Sequence, residues 1–199
     1  MPSQISDLTD KISELQDRLE AELARRRAEL EVGLERGRVV FEAEVLRRHR
    51  ALKIGLWDFV KRARLRTVLT APVIYSLIVP FAVLDVFVSI YQAVCFPVYG
   101  IEKVRRCDYL IFDRHHLAYL NALQKLNCAY CAYANGLLGY VIEIAARTEK
   151  YWCPIKHARR VIGAHGHYAA FSDFGDAESY QADVDRLRET LLSNKDRSD

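Results

Sequence analysis

Three cysteines and one histidine in the second half of the chain have the spacing of a metal-ligand set. Cys128 and Cys131 form a C-x2-C motif within NCAYCAYANG, and Cys153 and His157 form a C-x3-H motif within YWCPIKH. Three thiolates and one imidazole are a tetrahedral donor set of the kind that Zn²⁺ prefers. The pattern predicts a zinc site on these four residues. The same donors could hold a [2Fe–2S] cluster, although four cysteines are the commoner ligands.

Other chemistry is open to the same residues. Free cysteines often only pack in a core, and a single C-x-x-C motif recurs by chance. Cys153 could act as a nucleophile with His157, His115 or His116 as its base, although no sequence feature marks an oxyanion hole. Thioredoxin-like chemistry is excluded because no βαβ pattern surrounds the motif. A zinc deaminase is excluded because no H-x-E precedes the motif and asparagine, not proline, comes directly before it.

The composition narrows the class of protein. The chain has 199 residues and a formal net charge of only +3, so no strongly basic surface indicates nucleic-acid binding. The five cysteines are an odd number. The N-terminal stretch MPSQISDLTDKISELQ lacks the basic and apolar regions of a secretory signal peptide. We therefore expect reduced thiols in a cytoplasmic setting rather than a disulfide framework.

An apolar segment occupies the middle of the chain. Residues 67–101 contain a single charged residue, Asp85. A stretch of this length exceeds the roughly 20 residues that span a bilayer as one helix, yet falls short of two full spans. Pro80 divides the segment, and proline inside a helix removes a hydrogen bond. The pattern predicts two short halves, 68–79 and 81–96, joined as a membrane hairpin.

Basic residues flank this segment on both sides, namely Arg62, Arg64, Arg66, Lys103, Arg105 and Arg106. Positive residues prefer the cytoplasmic side of a membrane and attract anionic lipid. The flanks therefore favour a topology with both ends in the cytoplasm. Within the second half, Asp85, Ser89 and Gln92 fall on one helical stripe. We expect this polar stripe to join the two halves or two protomers, rather than to relay ions.

The first 66 residues have the periodicity of a long amphipathic helix. A heptad seam runs through Ile5, Leu8, Ile12, Leu15 and Leu19. No proline occurs between Ser3 and Ala71, and the weak points for a helix are Gly33, Gly37 and Gly55. Two interpretations stay open, a helix packed on its own domain or a short coiled coil that makes an oligomer. From Arg38 onward the region turns basic and amphipathic, which suits an anionic membrane surface.

The remainder of the chain also has helical patterns. Residues 102–175 carry the Cys/His motifs on two predicted helical stretches separated at Asn135-Gly136, and residues 176–199 predict a terminal amphipathic helix and tail. Strand signals are few. The fold class predicted is therefore mainly α, with a long coiled-coil-like N-terminal helix, a membrane hairpin and a small helical C-terminal domain.

The stretch from about Leu65 to Arg160 resembles a family of uncharacterised bacterial membrane-associated proteins. The resemblance covers about half of the chain and lies in APVIYSLIVPFAVLDVFVSIYQAVCFPVYGI, DRHHLAYLN, KLNCAYCAYANG and EIAARTEKYWCPIKHARR. It implies a bacterial source and membrane association. It transfers no activity and no catalytic residue to this chain.

Taken together, these features predict a non-enzymatic protein on the cytoplasmic face of a bacterial inner membrane. It would be anchored by the apolar segment in anionic lipid, would carry zinc on its Cys/His motifs, and would serve as a scaffold or dock a protein partner or a second copy. The alternatives are a membrane-tethered iron–sulfur electron-transfer protein and, further, a cysteine-dependent enzyme acting through Cys153.

Overall fold

The computed structural model describes residues 2–29, 32–35, 38–41, 43–62 and 64–195. Its elements are α1 (Pro2–Glu29), β1 (Val32–Glu35), β2 (Arg38–Phe41), α2 (Ala43–Ala51), α3 (Leu56–Arg62), α4 (Leu65–Ser76), α5 (Ile78–Tyr99), α6 (Ala122–Trp152) and α7 (Tyr180–Lys195). The fold is therefore mainly α, as predicted. The chain forms two compact units, one of Met1–Arg62 with Asp113–Leu126 and the other of Ala63–Phe112 with Asn127–Asp199.

In the first unit, the helical region predicted for residues 1–66 is divided into shorter elements. The helix α1 ends at Glu29, and β1 and β2 follow as an antiparallel pair in which Val32 lies opposite Phe41. Valine and phenylalanine have high strand propensity, which here prevails over the helical periodicity. Of the predicted weak points, Gly33 lies in β1, Gly55 lies just before α3, and Gly37 lies outside the described residues.

Residues 113–126 join this first unit rather than the C-terminal domain to which the sequence pattern assigned them. The Tyr119 ring lies edge-on to His49, with 5.2 Å between ring centroids. Asn121 is almost fully buried and begins α6 with a reciprocal cap. Its side-chain oxygen accepts from the Gln124 N–H at 2.9 Å, and the Gln124 side chain accepts from the Asn121 N–H at 3.0 Å.

In the second unit, the predicted hairpin is not formed. A single residue, Leu77, separates α4 from α5, and its φ of −64° and ψ of −13° are right-handed helical values. Hydrogen bonds continue across this point, since the Phe81 N–H donates to the Leu77 carbonyl at 3.2 Å. The chain therefore runs on through Leu65–Tyr99 instead of turning back. Pro80 lies in the first turn of α5, where a missing N–H leaves no helical bond unmade.

The helices α5 and α6 run parallel to each other. Bonds pair Asp85 with Tyr133 and Gln92 with Tyr140, and Tyr75 at the end of α4 pairs with Asn127, each pair 48 to 52 residues apart. Because the bonded partners follow each other in the same order along both helices, the helices are parallel. The chain between them must therefore run back along their length. Residues 101–110 do so in contact with both of them, with Val104 against Gln92 and Tyr109 against Gly136.

The core of this unit lies between α5, α6 and the returning connection. Its buried members are Phe96, Ile101, Val104, Leu137, Tyr140 and Ile144. Gly100 ends α5 in the left-handed conformation, with φ of 70°, which allows the chain to reverse and place Ile101 in the core. The position of a Cβ at Gly100 would lie 2.5 Å from a methyl group of Leu192, so α7 also packs closely at this turn.

The helix α6 continues through Asn135-Gly136, where the sequence pattern separated two stretches. Glycine weakens a helix, but here its small size lets the connection at Tyr109 lie close to α6. A Cβ at Gly136 would lie 2.5 Å from the Tyr109 carbonyl oxygen, and a Cβ at Gly139 would lie 3.2 Å from the Tyr109 ring. The two glycines form the surface of α6 on which the connection rests. Beyond α6, α7 lies within the segment whose periodicity predicted a terminal helix.

Candidate functional site

A large apolar surface is exposed along α4 and α5. The exposed side chains of α5 include Val79, Val83, Val86, Phe87, Ile90, Val94 and Val98, and they recur at spacings of three and four. Phe87 is 69 % exposed and Val98 is 76 % exposed. This segment, Leu65–Tyr99, is long and apolar enough to cross a membrane. An exposed apolar surface of this extent marks a site of interaction with lipid or with another protein.

The polar residues of α5 point the opposite way, into the unit. Asp85 is only 7 % exposed, and its carboxylate accepts from both terminal nitrogens of Arg106, at 2.6 and 2.7 Å. The Tyr133 hydroxyl donates to the same carboxylate at 2.9 Å, and Ser89 lies 3.4 Å from it. Bidentate Arg–carboxylate pairs are strong and directional. The polar stripe thus joins α5 to α6 and to the connection within one chain, a structural role whose partners differ from the two membrane halves or two protomers that the sequence predicted.

Gln92 makes a second polar junction two turns further along α5. Its side-chain oxygen accepts from the Val104 N–H at 2.7 Å, and its amide nitrogen lies 2.9 Å from the Tyr140 hydroxyl. The amide also lies 3.3 Å from the Val104 carbonyl. A buried amide therefore satisfies a stretch of backbone that has no regular secondary structure. These bonds keep the connection on the side of α5 away from the exposed apolar residues.

An apolar groove runs between α5 and α6 on their open side. Its volume is about 460 Å³, and its lining residues are Val88, Tyr91, Val141, Ile144, Ala145, Thr148, Glu149, Trp152 and Cys153. The Tyr91 hydroxyl bonds to Thr148 at 3.0 Å, which leaves the walls of the groove apolar. Aromatic rings close one end, where Tyr99 stacks on Tyr151 at 5.2 Å and meets the edge of Trp152 at 5.4 Å. The sequence pattern did not reveal this groove.

The four predicted metal ligands do not converge. Cys128 and Cys131 lie near the start of α6, whereas Cys153 directly follows its end at Trp152. At a rise of 1.5 Å per residue, Cys128 and Cys153 lie about 38 Å apart along the helix axis. Across the residues that the structure describes, no three histidine, cysteine, aspartate or glutamate side chains are grouped so that they could hold a metal ion. The zinc and [2Fe–2S] predictions therefore have no assembled ligand set in this structure.

The predicted thiol–imidazole pair is not assembled either. Cys153 is exposed, and within the described parts of the chain its thiol has no hydrogen bond to an imidazole. His157 lies flat against the Tyr168 ring, with 6.2 Å between centroids. His115 and His116 pack on each other in the first unit, with 3.8 Å between their ring centroids. Within the second unit, His157 therefore packs on Tyr168 rather than on Cys153.

Two other histidines, unassigned by the sequence pattern, attach a loop to α6. His165 Nε2 lies 2.9 Å from the Glu149 carboxylate, and His167 Nε2 lies 3.2 Å from Glu143. Arg147 donates to Glu143 at 2.8 Å and to the Glu102 carbonyl at 2.8 Å. Burial raises the pKa of Glu143, but the bonds from Arg147 and His167 outweigh it and hold the pKa below its ordinary value. The i, i+4 spacing of Glu143 and Arg147 was the only sequence signal for this cluster.

The basic residues predicted to bind lipid are exposed, with one of them engaged in the unit. Arg64, Arg66, Lys103 and Arg105 all have exposed side chains. Arg106 is half-exposed, at 47 %, and its charge is directed at Asp85. Four cations of the second unit are therefore available to an anionic surface, and Arg106 serves the internal junction.

Comparison with known proteins adds no family to this picture. No protein-family model matches the chain, and neither the curated proteins nor the solved structures include a significant match. What the chain can do is therefore argued from its own residues.

Proposed function

We propose that this protein is a membrane-anchored scaffold, attached to anionic lipid through the segment Leu65–Tyr99. The observation that carries the proposal is the uninterrupted exposed apolar surface of α5, whose polar residues face inward. Removing such a surface from water lowers the free energy by about 25 cal/mol for each Å² of apolar area that is buried. Exposed arginines at the start of the segment, Arg64 just before it and Arg66 at its second residue, supply attraction to anionic headgroups.

Co-flotation with lipid vesicles tests the anchor. Phe87→Glu and Ile90→Glu place a charge on the exposed surface of α5 without entering the core. We expect each to weaken vesicle binding about tenfold, which corresponds to about 1.4 kcal/mol. Ile162→Glu is the matched control, because Ile162 is 95 % exposed on a loop outside α4 and α5. Equal binding by all four proteins would refute the anchor.

A location on the cytoplasmic face of a bacterial inner membrane is part of the same proposal. The support is the exposed cations on both sides of the apolar segment, Arg64 and Arg66 before it and Lys103 and Arg105 after it. Protease treatment of oriented inner-membrane vesicles tests it. We expect cleavage after Arg66 and after Lys103 only when the cytoplasmic face is exposed to the protease.

We propose that α1 supplies the docking function through a coiled coil with a second copy. Its heptad residues Leu8, Ile12, Leu15 and Leu19 are all more than half exposed in the single chain. An exposed seam at this spacing is stabilised by a partner helix. Leu15→Asp should halve the mass of the detergent-solubilised protein in light scattering, whereas Glu14→Ala, beside the seam, should not. An unchanged mass for Leu15→Asp would contradict self-association through this seam.

The two chemical alternatives stay predictions. An electron-transfer role needs an assembled cluster site, and a thiol enzyme needs a base for the exposed Cys153.

A further inference from the structure

We infer that the second unit lies in the plane of the membrane surface and penetrates a single leaflet, with α5 parallel to the surface rather than crossing it. This inference rests on the proposed membrane attachment and specifies its geometry. It follows from the different chemistry of the two sides of the α5–α6 pair. One side is covered by the charged connection, and the other is open and apolar.

The covered side carries charges at mid-height of α5. Arg106 is bonded to Asp85, the eighth residue of this 22-residue helix, so the connection is fixed there. Its neighbours Arg105 and Asp108 are exposed, with 74 % and 54 % of their side chains accessible. Lys103, next to Val104 and hence beside Gln92, is exposed as well. These charges occupy the levels that would fall inside the hydrocarbon if α5 crossed a bilayer.

Crossing would therefore be unfavourable for this unit. A charged side chain at the centre of a bilayer is strongly disfavoured. A crossing orientation would place Arg105, Lys103 and Asp108 there, whereas an orientation in the plane leaves all three in water. The apolar surface of α5 would contact lipid in both orientations. The exposed charges of the connection therefore favour the orientation in the plane.

The open side fits one leaflet. On α6, Cys131, Leu138 and Ile142 are exposed and share one face, since they are seven and four residues apart. The groove beside Val88 and Tyr91 lies between this face and α5. The surface is therefore two helices wide, with a furrow that can receive acyl-chain carbons. Amphipathic surfaces of this kind sink about 5–10 Å into the boundary between headgroups and acyl chains.

The side chains at one end of the groove are of the kinds found where a membrane meets water. Trp152 is exposed beside Tyr99 at one end of the helices, and such aromatic side chains favour the headgroup region. Glu149, which lines the same end, is paired with His165 at 2.9 Å. An orientation in the plane also leaves both ends of Leu65–Tyr99 on one side of the membrane, in agreement with their exposed arginines and lysine.

Native cysteines report the orientation without any substitution. Cys107 lies on the covered side, next to Arg106, and Cys131 lies on the open side; both are exposed. The experiment measures how fast a charged, membrane-impermeant maleimide modifies each thiol, by peptide mass spectrometry, with and without vesicles of mixed anionic and zwitterionic lipid. For the orientation in the plane, we expect vesicles to slow labelling of Cys131 at least tenfold and to leave Cys107 unchanged.

Each other outcome has a separate meaning. Slow labelling of both thiols on vesicles would show that the unit crosses the bilayer. That result would overturn the orientation in the plane but would leave the proposed membrane attachment intact. Unchanged labelling of both, without flotation, would overturn the anchor itself. Slow labelling of Cys131 in the absence of lipid would show that a second copy covers the open side, and would also overturn the inference.

Discussion

Arg106, in the returning connection, donates from both terminal nitrogens to the carboxylate of Asp85 on α5, at 2.6 and 2.7 Å. The pair is asymmetric in its surroundings, because the aspartate side chain is 10 % exposed and the arginine side chain is 47 % exposed. Tyr133 adds a bond from α6 to the same carboxylate. Three segments of the second unit therefore depend on one ionised group.

Replacing that group should loosen all three segments. Asp85→Asn leaves Arg106 without its counter-charge, and we expect the free energy of unfolding in detergent to fall by about 2 kcal/mol, the range for hydrogen bonds to charged groups. The loss is smaller than for a fully buried pair because Arg106 can be hydrated. Asp108→Asn, which breaks an exposed pair with Arg105 at 3.6 Å, should change the free energy by less than about 0.5 kcal/mol. Equal effects would contradict this assignment.

The close approach of the connection to α6 gives a second prediction. Gly136→Ala should destabilise the second unit by about 1–3 kcal/mol, because the new methyl group would meet the Tyr109 backbone at 2.5 Å. Gly139→Ala is the matched control, since its methyl group would meet only the Tyr109 ring, at 3.2 Å, and the ring can shift. Thermal unfolding of both variants measures the difference. A more severe loss for Gly139→Ala would show that the connection lies elsewhere.

The Glu143 cluster predicts a dependence of stability on pH. Its pKa lies below the ordinary 4.5, so the unfolded chain binds the proton before the folded chain does as the pH falls. The stabilisation is therefore present above about pH 4.5 and is lost below it. We expect Glu143→Gln to be less stable than the unmodified protein by about 1 kcal/mol at pH 7, with the gap closing toward pH 3. Denaturation at several pH values measures this gap.

Glu189→Gln controls for the loss of an exposed carboxylate on α7. Its stability should follow that of the unmodified protein at every pH. A gap for Glu143→Gln that stays constant down to pH 3 would mean that the carboxylate does not carry the effect.

The separation of the cysteine motifs predicts how any bound metal must depend on them. Since α6 holds Cys128 and Cys153 about 38 Å apart, the two thiols cannot share an ion within one chain. If the purified protein contains zinc or iron, Cys153→Ser should keep its metal content even where Cys128→Ser loses it. Elemental analysis of both variants measures this. Loss of metal from both would restore the four-residue site and would require α6 to break.

The sequence was informative wherever one residue pattern dictates one environment. The run of residues around Asp85, which contains no other charge, correctly indicated an unusually apolar helical segment. The stripe of Asp85, Ser89 and Gln92 correctly indicated an internal polar junction. Its partners could not be foreseen, since Arg106, Val104 and Tyr140 are brought to it by the path of the connection.

The errors arose where local signals have two physical meanings. Pro80 was read as the apex of a hairpin, but proline is also favourable in the first turn of a helix, which is where it lies. Gly136 was read as a break, but glycine also permits close contact between segments. The metal site indicated by the Cys/His spacing stays a prediction, and the continuous helix α6 between Cys131 and Cys153 is what the spacing alone could not reveal.

The parallel arrangement of α5 and α6 has a consequence for biosynthesis. Asp85 bonds to Arg106 only 21 residues later in the chain, but its partner on α6, Tyr133, follows 48 residues later. At 5–20 residues per second, the ribosome needs several seconds to supply that partner on α6. During this interval the apolar helix lacks its contacts with α6, including the bond from Tyr133 to Asp85. We expect the earliest chaperone or targeting contacts to fall on this stretch, before the unit can fold.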